Sequence, residues 1–349
     1  MKALIVERPG SAKFIEAERP KVGPGDALCR VVYSGICGTD LSIFTGDMNL
    51  VREGYVKYPV RIGHEWSGIV EEVGCSVKNL RPGDKVVSDS GVTCGVCEHC
   101  LKGDYDSCRN GRALGTIGNC WEGSFAEYTV FPERHLYKVP DGVSMDDAAL
   151  TEPMSIALSG VKTMDVKGRS VLVIGTGAIG LSAAALVKYY GASKVIVSGR
   201  KPFKLDVARQ VGADEVINAT QEDLVEFVMK VTGDAGVDAV IETSGDANLL
   251  NQCVAAAKQG APIVLIGFFE SRLNDFDIAQ FMMKRQHLYS ALGKIGLARE
   301  IGGILASGKI NVHPLITHRF CFEDTIDAMK SAGERNDTKI KMMVQISNP

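Results

Sequence analysis

No apolar stretch of this chain approaches the roughly 18 residues of a membrane-spanning helix. The opening KALIVERPG lacks the charged start, apolar run and small-residue cleavage site of a secretory leader. An excess of one charge is also missing: 39 Lys and Arg against 42 Asp and Glu leave a formal net charge of -3. With no basic stripe interleaved with aromatics, nucleic acid is not an expected partner. Internal repeats and low-complexity tracts are absent, and the stretch from Glu152 to Ser159 has no flexible Gly/Ser linker. These absences point to a cytoplasmic protein whose partner is a small molecule.

What is present is the composition of an ordinary globular chain, 45% apolar and 23% charged. Its 349 residues exceed the usual size of a single compact core, so two domains are expected. Up to about residue 153, short β-like runs (Leu28 to Tyr33, Gly68 to Val73, Lys85 to Val87) alternate with Gly, Pro and Asp turns, the pattern of a β-rich barrel. From Ser170 the chain alternates strand and helix: VLVIG, a helix through Leu181 to Tyr190, KVIVS, a helix around Lys204 to Val211, EVIN, a helix near Glu222 to Val231, VDAVIE, a helix about Leu249 to Lys258, PIVLIG and HLYSAL. Six apolar strands without in-out alternation indicate a parallel sheet covered on both faces. GKINVHPLI and KIKMMVQI are the expected strands of a tail that returns to the first domain. The expected division is 1–153 with 292–349, and 154–291.

Ten cysteines suit a reducing compartment, because six of them (Cys29, Cys37, Cys75, Cys120, Cys253, Cys321) are scattered. The other four, Cys94, Cys97, Cys100 and Cys108, have the C-x2-C-x2-C-x7-C spacing of a tetrahedral zinc cage, in a lobe over about 90–110.

Gly175-Thr176-Gly177-Ala178-Ile179-Gly180 directly follows the VLVIG strand and opens a helix. There the first glycine can make the turn, the second can admit a pyrophosphate, and the third can bring helix and strand together. The free N–H groups of the helix start suit the phosphates. About 20 residues on, an NAD site places Asp or Glu, whereas this chain reads Val197-Ser198-Gly199-Arg200-Lys201. Gly199 leaves room, and Arg200 and Lys201 offer charge and donors to a 2′-phosphate, which favours NADP over NAD. The alternative is that both are solvated loop charges.

A second set of metal-ligand types is more dispersed: Cys37 in GICGTD, His64 and Glu65 in GHE, and Glu152 in TEP. One thiolate, one imidazole and one carboxylate leave a fourth zinc position for water or substrate. Taken singly, each has an ordinary alternative as a buried thiol, a core histidine or an ion-pair partner.

GICGTD, GHEWSG, the cysteine lobe, EGSFAEY, TEP and GTGAIG occur in the order found in the zinc-dependent medium-chain alcohol dehydrogenases. The resemblance spans essentially the whole chain and is strongest to the polyol (sorbitol-type) and threonine dehydrogenase branches. VSGRKP is similar to NADP-using secondary-alcohol members. The resemblance implies a GroES-like β-barrel catalytic domain, a Rossmann domain and two zinc ions per chain. It also implies Cys37 and His64 as catalytic zinc ligands, Glu152 as the carboxylate at the metal, and Glu65 as an alternate ligand or a partner behind the ligands. Thr39 matches the hydroxyl that passes the alcohol proton outward, and Ser42 stands where many relatives complete the relay with His, with water as the alternative exit for the proton. Hydride transfer between a secondary alcohol (a polyol, sugar acid or cyclitol) and NAD(P) is the implied reaction, in a homodimer or homotetramer. Ser42, Phe44, Ile117 and Trp121 are the expected substrate-cleft residues. A zinc-free quinone-reductase-like or non-catalytic nucleotide-binding member is the alternative, against which the retained Cys37, His64 and Glu152 argue.

Overall fold

The computed structural model describes residues 1–116, 120–270, 272–273, 275–332 and 337–349. Two large sheets organise the chain. The parallel one runs Glu215–Asn218, Lys194–Gly199, Ser170–Ile174, Ala239–Glu242, Pro262–Leu265, His287–Ser290. Numbered along the chain, this order is 3-2-1-4-5-6, the doubly wound Rossmann arrangement. The central strands carry Val171, Leu172, Val173, Val195, Ile196, Val197, Ala239, Val240 and Ile241 without exposure, as burial beneath helices on both faces requires. Strand order reverses between Ser170–Ile174 and Ala239–Glu242, and it is beyond the carboxyl ends of such strands that a ligand crevice opens.

The second sheet has seven strands, in the order Ile316–Cys321, Lys341–Gln345, Asp26–Ile36, Glu65–Val73, Lys85–Ser88, Leu136–Lys138, with Tyr128–Pro132 paired to the Asp26 strand off that path. Two of its strands come from the end of the chain, so residues more than 300 positions apart meet as neighbours: Met342 faces Ile36 and Met343 faces Gly35. That register places Lys341 beside the end of the Asp26 strand, where the functional site begins.

One expected strand is corrected. GKINVHPLI is not a strand along its length: His313–Leu315 form a single 3-10 turn, and the strand starts only at Ile316. Pro314 has no N–H for a ladder and a φ fixed near that of a helix, which suits a turn rather than a sheet interior.

Candidate functional site

Three adjacent strands deliver the first cluster. Cys37 follows Ile36 at the end of the Asp26 strand, His64 and Glu65 stand at the start of its antiparallel partner, and Lys341 opens the strand on the other side. The ligand atoms of Cys37, His64 and Glu65 all lie within 4.8 Å of one another. Gly35 is directly opposite Glu65, and a Cβ there would collide with the Glu65 carboxylate, so the close approach requires glycine.

Asp40 holds the two ligand-bearing segments together. Its Oδ2 accepts a 2.9 Å hydrogen bond from the Cys37 N–H, and its Oδ1 a 3.0 Å bond from the Gly63 N–H. The first of these bonds also caps the Gly38–Thr45 helix, which Cys37 precedes. Asp40 is fully buried, and its Oδ1 lies 3.5 Å from His64 Nδ1, a buried nitrogen without a hydrogen-bond partner. Burial opposes a charged His64 ring, but the Asp40 carboxylate and then Cys37 override it and hold the pKa well above the usual histidine value. A ring pressed this hard toward positive charge, beside a thiol and carboxylates, sits in an environment built for a cation. The soft sulfur, the imidazole and the carboxylates are the donor types that zinc takes, so the residues fit the metal.

Glu65 is gripped rather than free. Lys341 Nζ donates to both of its oxygens, at 2.7 and 2.6 Å, with side-chain exposures of 5% for the lysine and 2% for the glutamate. Burial acts against the lysine's charge, but Glu65 and then Cys37 more than restore it, so the ammonium stays protonated. Glu152, in the first turn of the Thr151–Val161 helix, lies outside the 4.8 Å group yet close enough to feel it. Burial pushes its carboxyl up to about 7, with His64 opposing and Glu65 adding to the rise. Thr39 and Ser42 are half-buried on the Gly38–Thr45 helix.

The cysteine lobe is closed and complete. Its sulfur separations are 3.5 Å for Cys97 to Cys100, 3.6 Å for Cys108 to Cys94, and 3.9 Å for Cys94 to Cys100 and for Cys97 to Cys108. A tetrahedron with zinc–sulfur bonds of about 2.3 Å has edges of about 3.8 Å, so the four sulfurs already stand at zinc spacing. No disulfide competes for them. Backbone N–H groups of Val96 and Cys97 aimed at Cys94 lower its pKa to about 6, which favours the thiolate that a metal needs. Burial instead pushes Cys108 up to about 11.

In the nucleotide cleft, a cavity of about 500 Å³ is lined by Ile174, Gly175, Thr176, Gly177 and the whole of Ser198, Gly199, Arg200 and Lys201. The three motif glycines have separate reasons. Gly175 has a φ of 112° and no room for a Cβ beside Thr243; Gly180 would drive a Cβ into the Gly175 carbonyl; Gly177 has nothing within 4 Å, leaving space for a phosphate. Ala178, Ile179 and Gly180 form the first turn of the Ala178–Tyr189 helix, and the Gly175 N–H donates to the Ser198 carbonyl at 2.9 Å. Lys204, Thr243, Ser244 and Asp246 line the same cleft.

Two expected substrate residues lie elsewhere. Phe44 is 6% exposed and packs in a core with Leu4, Ile43 and Phe125, because positions 43 and 44 form the inward face of their helix. Trp121 packs near Phe131, donates from Nε1 to the Val130 carbonyl at 2.8 Å and lines an outer hollow with Arg19 and Arg61. Ile117 lies outside the described residues. The roles of Asp40, Lys204 and Lys341 escaped the sequence reading. A lysine flanked by apolar residues on both sides in IKMMV is the available signal for Lys341, and Asp three residues after Cys37 at a helix start is the signal for Asp40.

Comparison with known proteins agrees in both halves. The family model of the alcohol dehydrogenase GroES-like domain matches residues 23–141, and that of the zinc-binding dehydrogenases matches residues 178–298. The L-threonine 3-dehydrogenase of Pyrococcus horikoshii is 34% identical over 95% of this chain and 96% of its own. The sorbitol dehydrogenase of Bacillus subtilis is 30% identical over 99% and 97%. A zinc-binding dehydrogenase structure from Sinorhizobium meliloti, bound to NADP, superposes with a TM-score of 0.88 at 29% identity, covering 99% of each chain. With the doubly wound sheet, the paired metal-type clusters and these matches along nearly its full length, the chain belongs to the zinc-dependent medium-chain alcohol dehydrogenases, enzymes of the threonine and polyol dehydrogenase type.

Proposed function

We propose that the protein transfers hydride between a secondary alcohol and NADP, with Cys37, His64 and Glu152 holding the catalytic zinc and the four-cysteine lobe a structural one. The observation that carries this reading is the mutual approach of Cys37, His64 and Glu65 within 4.8 Å. Glu65 is assigned a place behind the ligands because both of its oxygens are engaged by Lys341, whereas no such ion pair holds Glu152 among the described residues. When bound, zinc supplies the Lewis acidity that lowers the pKa of an alcohol hydroxyl, and the nicotinamide supplies the hydride acceptor. The protein's own part is to hold and orient. Asp40 fixes the Cys37 and His64 segments, Thr39 takes the alcohol proton through its hydroxyl, and Ser42 passes it toward solvent. The catalytic half comprises 1–153 with 292–349, and the nucleotide-binding half 154–291. The substrate class is a polyol, sugar acid or cyclitol, by likeness to the sorbitol and threonine enzymes.

Arg200 and Lys201 on the cleft wall, where an NAD site has a carboxylate, support NADP. Rates measured with a panel of secondary alcohols and each nicotinamide cofactor test the reading. NADP is expected to give the higher kcat/KM, and Arg200→Ala to lower it about tenfold or more, the worth of charge-assisted hydrogen bonds, while leaving NAD nearly unchanged. A wild-type preference for NAD contradicts the cofactor assignment.

A homodimer is supported by the edge of the parallel sheet. Among the described residues His287–Ser290 has no outer neighbour, all four of its residues are exposed, and Leu292, close along the chain, is 76% exposed. A second copy of the same edge, related by a two-fold axis, satisfies both unpaired ladders and covers the apolar side chains. Light scattering is expected to give twice the 37.5 kDa of one chain, and Leu288→Lys to return the monomer. A wild-type monomer counts against this interface. No described helix is long and apolar enough to cross a membrane. Ten cysteines that are all free thiols support a cytoplasmic setting.

A further inference from the structure

The mouth of the nucleotide cleft holds a concentration of positive charge that the reading of Arg200 and Lys201 alone does not account for. Lys204 lines the cleft with them, one turn into the Pro202–Gln210 helix, for which Lys201 is the N-terminal flanking residue. No acidic residue occupies the first turn of that helix, so cations sit at its positive end, where the backbone dipole opposes them. A fourth cation arrives from far along the sequence: Lys339, tied by its ammonium to the Ala332 carbonyl, is the charge that acts most strongly on Lys204. Lys204 is half-buried, and its pKa is lowered by burial first and then by Lys339, Lys201 and Arg200, with Asp337 opposing. The same C-terminal segment therefore brings one carboxylate, and that carboxylate has taken a partner: Asp337 Oδ1 lies 2.6 Å from Lys201 Nζ.

We propose that Asp337 is an internal counter-anion that competes with the 2′-phosphate of NADP for Lys201, so that this ion pair tunes the enzyme's discrimination between NADP and NAD. The proposal rests on the NADP reading above and names the residues that tune it. Its physical basis is electrostatic exclusion. A phosphate monoester with close to two negative charges cannot share Lys201 at hydrogen-bond distance with a carboxylate without strong repulsion, so binding displaces Asp337. NAD brings only a hydroxyl to the same place and leaves the Lys201 to Asp337 pair intact. Both partners of that pair are substantially exposed, 45% for Lys201 and 61% for Asp337, so the competition is modest and weakens with salt.

Equilibrium binding of NADP and of NAD to the full-length, zinc-loaded enzyme, followed by calorimetry at low and high salt, tests this. Asp337→Asn is expected to tighten NADP about two- to fivefold at low salt, the scale of an exposed ion pair, with NAD unchanged and the gain shrinking at high salt. An Asp337→Asn protein whose NADP affinity is unchanged or weaker, or whose NAD affinity moves equally, overturns the role of Asp337. That failure leaves the NADP reading standing, because that reading fails separately, on a wild-type enzyme that binds NAD more tightly than NADP.

Discussion

Cys37→Ser is expected to lower kcat/KM by more than about a hundredfold while leaving the fold and one zinc ion in place. The magnitude follows from the loss of a ligand, since removing even a partner behind the ligands of a metal typically costs ten- to a hundredfold in affinity or activity. A serine hydroxyl does not ionise near neutral pH and cannot replace a thiolate at a borderline-soft metal. The fold is expected to survive because the bond that fixes this segment, from the Cys37 N–H to Asp40 Oδ2, is made by the backbone and persists in the variant. The four-cysteine lobe is untouched, so metal analysis should read one zinc per chain instead of two. Turnover within a few-fold of wild type would remove Cys37 from the catalytic centre. A protein that lost its cooperative melt as well would show a structural role for the thiol instead.

Lys341→Met is expected to destabilise the protein by about 3–5 kcal/mol, the cost of leaving a buried charge without its partner. Glu65 is almost fully buried, and both of its oxygens receive Lys341 Nζ. Removing the lysine therefore strands a carboxylate where water does not reach, near the buried Glu152 carboxyl. Adding Glu65→Gln should recover most of the loss, because replacing both members of a buried pair is far milder than removing one. Urea melts of the two single variants and the double variant measure this directly. A loss below about 1 kcal/mol for Lys341→Met would mean that the pair is solvated or that Glu65 finds another partner.

Much of this architecture was legible because it is local. The apolar runs and intervening helices along 170–290 specify a parallel sheet by period alone, and the six strands fall where VLVIG, KVIVS, EVIN, VDAVIE, PIVLIG and HLYSAL lie. The cysteine spacing and the glycine motif carry their geometry in short stretches of chain, and the sulfur separations and the open space at Gly177 match it. What the sequence withheld depends on pairing across long separations. Lys341 meets Glu65 across 276 positions, and Asp337 meets Lys201 from the far end of the chain. Neither pairing leaves a periodic trace. Phe44 was misplaced for a different reason: its helix is short, so its apolar residues showed no clear stripe to reveal which side faces the core.

The account turns on a zinc ion held by Cys37 and His64, distinct from the one in the cysteine lobe. Anomalous scattering at the zinc edge from crystals of the full chain measures it most directly. Two peaks are expected, one within bonding distance of Cys37 Sγ and a His64 ring nitrogen and one amid Cys94, Cys97, Cys100 and Cys108. A single peak, confined to the cysteine lobe in an enzyme that still turns over, would contradict it.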